Sequence, residues 1–393
     1  MEDRVQDYEA PEGRAKRRLR LGVVADPGLP SDVAAAVVDG HLPAVLSRRV
    51  AADVEWEVEL QRQELPLDEH GAVPLLALAG ERKAETGWDM FVYLTDLTRG
   101  TPSQPVLADL STRDQAALIS LPAVGGLRLR HHVTRTLIHL VARLHRAAPQ
   151  TSGRRALRRW GEWVSSVRER TSGEHAIDTS LVLVGRRGRL RLLLGMVRNN
   201  RPWRLVPHLA SATAAAAATA AFGIFYSSIW QMADAMSALR LTVVSLLAIG
   251  VMVGWLLSYN HLWDSPRGHR TRKDSALYNA STLCTLTLGV SCMYLLLYVL
   301  ALIAALVVVD DGYLSSQLGH PVGISDYATL VWLACSMGIV AGALGSSLDT
   351  EAAVRQATYS RREQERQARN RRQAETEETE EHPAPAQPRN QER

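Results

Sequence analysis

Three carboxylates are the first residues to test for chemistry. Asp26 in VVADPG, Asp96 in LTDL and Asp109 in VLADLS each sit at or near the end of a run of strand-forming residues, with Thr95 and Ser120 close by in the same scheme. In open α/β sheets, ligands gather outside the carboxyl ends of the strands. A pair of carboxylates there can serve as acid and base or hold a hard cation. Asp26 and Asp96 share such a rim if their strands are parallel, whereas Asp109, on a strand running the other way, falls at the opposite rim. Aspartate at a strand end also builds turns by bonding nearby backbone. Asp26, Thr95, Asp96, Asp109 and Ser120 are therefore either a ligand-binding set or a set of turn formers.

Histidine and cysteine offer less. His139 and His145 are six residues apart, which places them about 240° from each other around a helix, and the adjacent His131 and His132 diverge. The first strand leads into ADPGLPSD, without the GxGxxG that lets backbone approach a pyrophosphate, and no GxxxxGK[ST] occurs. Cys284, Cys292 and Cys335 lie in apolar stretches with no CxxC, as small packing residues do. No catalytic residue, metal or cofactor is expected from these patterns.

The elements that would position the carboxylates can be read in order. LRLGVVAD reads as a buried strand, and Ser31 caps a helix to about Arg48 with Asp32 favourable in its first turn. Val54, Trp56, Val58 and Leu60 alternate with Glu55, Glu57 and Glu59, which describes a strand buried on one face and placed toward an edge. A helix over residues 73–86 ends at Gly87, and WDMFVYLTDL is the third strand. TRGTPSQP is too short for a crossover helix, so residues 106–110 and 117–121 follow as further strands with antiparallel neighbours. Val133, Leu137, Leu140, Val141 and Leu144 then form the stripe of a helix over 127–147. The fold class is an α/β mixed-sheet domain of order β-α-β-α-β-β-β-α over residues 19–148, followed by a four-helix transmembrane domain.

Residues 206–230, 241–259, 279–309 and 327–348 contain no Asp, Glu or Lys, and no Arg. Each is long enough to cross about 30 Å of hydrocarbon as a helix. Arg198, Arg201 and Arg204 precede the first span, and Arg267, Arg270, Arg272 and Lys273 fill the second loop. Asp310, Asp311 and Asp326 mark the third, and Arg355, Arg361, Arg362 and Arg366 follow the last. Basic residues beside spans stay in the cytoplasm. The alternation predicts an inner-membrane protein with both termini cytoplasmic.

Residues 149–204 read as a basic, amphipathic, membrane-proximal region, with a helix over 154–170, a strand at LVLVG and a collar at RGRLRLLLGMVRNNRPWR that can lie in the headgroup plane. Anionic lipid headgroups are its expected partner. Residues 1–18 carry no apolar signal region and read as disordered, and residues 349–393 form a charged tail grading into disorder. Gly338 and Gly342, in GxxxG, and Gly345 let helices approach closely, within one chain or in a homo-oligomer. Of Asp, Glu, Lys, Arg and His, the spans contain only His208, near the end of the first, which argues against an ion relay. The formal charge of +4 is gathered near the membrane and no nucleic-acid partner is expected; with only three lysines, the arginine and alanine bias fits GC-rich bacterial coding.

Two resemblances follow from these segments. LGVVADPGLPSD, LTDL, VLADLS, ISLPAVGGLRLR and GMVRNNRPWRL before four spans resemble a group of bacterial multi-pass membrane proteins with a cytoplasmic N-terminal α/β domain, a group with no established activity. The element order over 19–147 resembles the upper half of zincin metalloproteases, whose final helix carries HExxH. Here His139 is followed by LVAR, so the glutamate base and the second histidine ligand are absent. The reading that results is a membrane-held, non-catalytic domain for a small-molecule or protein partner. An enzyme using Asp26 and Asp96 is the first alternative, and a channel or transporter component the second.

Overall fold

The computed structural model describes residues 17–68, 73–101, 104–146, 167–170, 178–263, 272–348 and 365. The expected helix over 154–170 lies outside them except at its end, as do the expected disorder of 1–18, apart from its last two residues, and nearly all of the tail.

The soluble part runs β1 (Arg17–Ala25), α1 (Leu29–Val38), α2 (Leu42–Arg49), β2 (Val54–Arg62), α3 (Leu75–Thr86), β3 (Met90–Thr95), β4 (Arg99–Thr101), β5 (Gln104–Ser111), β6 (Ala116–Ser120), α4 (Leu121–Val124), α5 (Leu129–His145), β7 (Val167–Arg170), β8 (Thr179–Leu183) and α6 (Gly185–Asn199). Its sheet has the order β2-β1-β3-β6-β5-β8-β7, with β4 paired to β5. The β2, β1, β3 and β6 strands are parallel; β5 runs against β6 and β8, and β7 against β8. The sheet is mixed and β2 lies at its edge, with Val54 and Trp56 buried and Glu55 and Glu57 exposed.

Four sequence expectations change. The helix from Ser31 to Arg48 is two helices: His41 takes a left-handed φ of 61°, and Pro43 cannot continue a helix across that bend. Ser31 is not a cap, since α1 begins at Leu29 and the Ser31 hydroxyl donates to Gly28 O at 2.9 Å. The fourth expected strand, β5, does not neighbour β3. The wholly buried β6 lies between them, because a strand apolar on both faces belongs in the sheet interior. Val167, expected in a helix, begins a strand.

Each sheet face has its own core. One buries Leu21, Val23, Val92, Leu94 and Ile119 beneath α1, α2, α5 and α6, including the expected stripe of α5. The other buries Val24, Phe91, Tyr93 and Leu118 beneath Leu65, Val73, Ala79 and Leu97. Gly22 is required by close approach: a Cβ there would lie 2.0 Å from the Trp88 ring.

The remainder is helical: α7 (Leu205–His208), α8 (Ala210–Phe225), α9 (Ser227–Asp234), α10 (Ala238–Tyr259), α11 (Arg272–Val308), α12 (Asp311–Leu318) and α13 (Ile324–Gly345). Three helices are long and apolar enough to cross a membrane, or four if a bent pair counts as one span. The first expected span is not one helix. It breaks at Leu209 and again at Tyr226, where the Trp230 indole donates to Ile224 O at 3.0 Å and satisfies a carbonyl freed by the break. The third apolar stretch is a single helix of 37 residues, about 55 Å long.

Gly338, Gly342 and Gly345 of α13 face α8. A Cβ at Gly338 would lie 2.6 Å from Ala216 O, and one at Gly342 would lie 2.9 Å from Ala212 O. The GxxxG approach is thus within the chain. By contrast, Gly250 of α10 has nothing among the described residues within 4 Å of its Cβ position. Gly338→Val should lower thermal stability in detergent by about 1–3 kcal/mol or prevent folding, as overpacking does. Gly250→Ala should leave the melting temperature unchanged or raise it; equal losses from both substitutions would contradict this packing.

Candidate functional site

Asp26 leaves β1 where the chain turns into α1. Its N–H donates to Leu94 O at 3.0 Å, and its carbonyl accepts from Ser31 N at 3.0 Å. The carboxylate is fully buried. One oxygen accepts from the Tyr93 hydroxyl, the other from Thr95 Oγ1 at 2.6 Å. The network continues in both directions. Tyr93 Oη accepts from Leu65 N at 3.2 Å, Thr95 Oγ1 accepts from Leu97 N at 3.1 Å, and Ser120 Oγ donates to Leu97 O at 2.7 Å. Register explains the assembly: Thr95 lies beside Ser120, and Leu94 lies beside Ala25 one residue earlier.

The structure therefore brings Asp26, Thr95 and Ser120 into one row at the carboxyl ends of β1, β3 and β6. Asp96 sits at the same rim and is 7 % exposed. Its carbonyl accepts from Asn199 Nδ2 of α6 at 3.3 Å. Asp109 departs from expectation. It does not lie at the opposite rim but pairs with Leu118, which pairs with Tyr93, one pleat inside the Thr95–Ser120 row and on the same face. The reason is that β5 extends to Ser111, so Asp109 is interior to its strand. There it forms a 2.7 Å ion pair with Arg99 Nε and accepts from Ser180 Oγ at 2.6 Å.

Such an arrangement ties strands together. A buried carboxylate with two hydroxyl donors is stabilised by charge-assisted bonds: Asp26 at the end of β1 takes both donors from β3, and Asp109 of β5 takes its partners from β4 and β8. Tyr93, Arg99 and Ser180 were not singled out in the sequence. Tyr93 was hidden by its place in an apolar run, and Ser180 by its distance from Asp109 in the chain.

A second polar cluster, also unforeseen, joins this rim to α11. The Thr98 and Tyr278 hydroxyls are 2.5 Å apart, and Asn200 Nδ2 donates to Thr285 Oγ1 at 3.1 Å. Asn199 Oδ1 and the Ser281 hydroxyl are buried nearby without a hydrogen-bond partner among the described residues. The signal available was the polar start of the third apolar stretch, YNASTLCTLT, and the NN pair before the first.

The histidines do not converge. His145 packs edge-on to Trp56 with ring centroids 5.7 Å apart, and His131 packs similarly on His132. Burial, reinforced by Arg143, pushes the His139 imidazole down to about 4. Among the described residues, no three or more His, Cys, Asp or Glu side chains are grouped to hold a metal ion.

No protein-family model matches the chain, and no curated protein matches it significantly. Among solved structures it is similar to an archaemetzincin from Methanopyrus kandleri, at 18% identity and a TM-score of 0.29, over 36% of this chain and 80% of that one.

Two outcomes follow. In a double-mutant cycle, Asp26→Ala and Tyr93→Phe should each destabilise by about 1–3 kcal/mol and be coupled by at least about 0.5 kcal/mol. Additive losses in chemical denaturation would show that the bond does not stabilise the sheet. His139 has a folded pKa near 4, below the unfolded value of about 6.5. Its neutral form is therefore favoured by folding: no penalty exists above pH 6.5, and stability falls as pH drops from 6.5 to 4. The loss should reach no more than about 3 kcal/mol. His139→Leu should flatten that limb of a stability–pH profile.

Proposed function

We propose that this chain is an integral protein of the cytoplasmic membrane, crossing it four times with both termini inside. Its α/β domain is a non-catalytic module for a small-molecule or protein partner. The observation that carries this reading is the attachment of the strand-end rim to α11 through Thr98–Tyr278 and Asn200–Thr285. Occupancy of the domain is thereby linked mechanically to a helix that continues into the bundle. Within the bent pair formed by the Gly185–His208 segment and α8, the α8 limb supplies the fourth crossing, and the charge alternation of the loops supplies the orientation.

The alternative of an enzyme working with Asp26 and Asp96 has less support. The Asp26 carboxylate is occupied by Tyr93 and Thr95, and both aspartates are at most 7 % exposed. A transport role gains no ionisable relay from the spans. Their polar contacts are hydroxyl and indole groups such as Ser245, Tyr294, Trp332 and Ser336.

A single cysteine at Gly312, in a background lacking Cys284, Cys292 and Cys335, should react with an impermeant thiol reagent only from the outer face. Reaction only from the cytosolic face would overturn the topology. Tyr278→Phe combined with Thr285→Val should speed amide exchange at least several-fold at the start of α11 and around residues 95–98. Unchanged exchange in both segments would remove the mechanical link.

A further inference from the structure

The helix α6 has two faces. Gly188, Leu192, Gly195 and Met196 are buried, with Gly195 so close to α4 that a Cβ would meet Pro122 O at 1.9 Å. On the other side, Arg187, Leu190, Leu194 and Arg198 fall on one stripe about 80° wide, and Leu190 and Leu194 are 57% and 47% exposed. The loop before α5 extends this stripe. Arg198 donates to Gly126 O, the Gly126 Cβ position lies 3.0 Å from Leu194 O, and the next residue, Leu127, is 77% exposed. Trp203, 57% exposed, stands beyond the end of the helix.

We propose that this face, built by α6 and the Leu127 loop together, docks on the anionic leaflet of the membrane that the chain itself crosses. The inference rests on the spanning reading above and names the partner of one face of the soluble domain. Three observations select lipid. The leucines are flanked by Arg186 and Arg187 at one end and Arg198 at the other, as in helices that place apolar side chains below phosphates and cations beside them. The face is continuous in sequence with the first membrane segment. The Gly185–His208 segment is bent 59° from α8, so when α8 runs along the membrane normal it lies about 30° from the membrane plane.

The test uses the full chain in nanodiscs, with a benzophenone amino acid replacing Leu194 in one variant and the lipid-facing Leu247 of α10 in another. In discs of phosphatidylcholine with phosphatidylglycerol, the Leu194 probe should form phospholipid adducts several-fold more than in pure phosphatidylcholine. Adding Arg186→Gln and Arg187→Gln should abolish that difference. The Leu247 probe should label lipid equally in both. Leu194 adducts only to the chain itself, or none, alongside normal Leu247 labelling, would overturn the docking alone. Failure of Leu247 to label lipid would overturn the spanning reading and the docking with it.

Discussion

One helix belongs to two cores, and most of the molecule follows from how α11 does so. At about 55 Å it is nearly twice the thickness of a hydrocarbon core. Its first turns carry Ser275, Tyr278, Asn279, Ser281, Thr282 and Thr285, and its later turns are Leu, Val and Ala. Leu277 and Tyr278 pack on the sheet's larger core, while Leu286, Val290, Met293 and Leu297 belong to the helical core. A helix satisfies its own backbone wherever it runs, so only the side chains need change between the two cores. The hydroxyls and amides are placed where α11 passes from the helical core to the sheet.

The strand-end carboxylates complete the same logic from the sheet side. A rim that meets another structural unit cannot leave its polar groups to water. Asp26 collects Tyr93 and Thr95, Asp109 collects Arg99 and Ser180, and Asp96 offers its carbonyl to Asn199. Residues suited to a site or to turns are engaged in hydrogen bonds and an ion pair that join β1, β3, β5 and β8. The weight of a buried charge falls on its partners: removing one leaves the other desolvated.

Much of the architecture was legible because it is local. The Val54–Glu59 alternation, the left-handed Gly87 after α3, the stripe of α5 and the three long apolar helices depend on neighbours a few residues away. What was hidden depends on distant partners. The insertion of β6 between β3 and β5 reflects its burial on both faces, which short loops do not encode. The strand at Val167 needs β8, and the break at Tyr226 needs the Trp230 indole. The candidate rim was half legible. Thr95 and Ser120, expected close to Asp26, adjoin it, but Tyr93 and Asn199 were invisible, since nothing in an apolar strand or an arginine-rich helix marks a residue as a hydrogen-bond partner.

Inside the bundle, the same discipline governs polarity. Trp332 Nε1 donates to Ser245 Oγ at 2.5 Å, and the Tyr294 hydroxyl lies 2.8 Å from Ser336 Oγ and 3.3 Å from Ser245 Oγ. The three helices α10, α11 and α13 are therefore joined by neutral groups at one level. In lipid, apolar packing alone leaves neighbouring helices free to slide, because acyl chains solvate leucine as well as leucine does. A hydroxyl and indole cluster has only one axial register in which all its members are bonded. Glycines set how closely α8 and α13 approach, and this cluster sets how far α10, α11 and α13 are shifted along their axes. Together they hold α8, α10, α11 and α13 as one packed unit, and the sheet rim joins that unit at Tyr278.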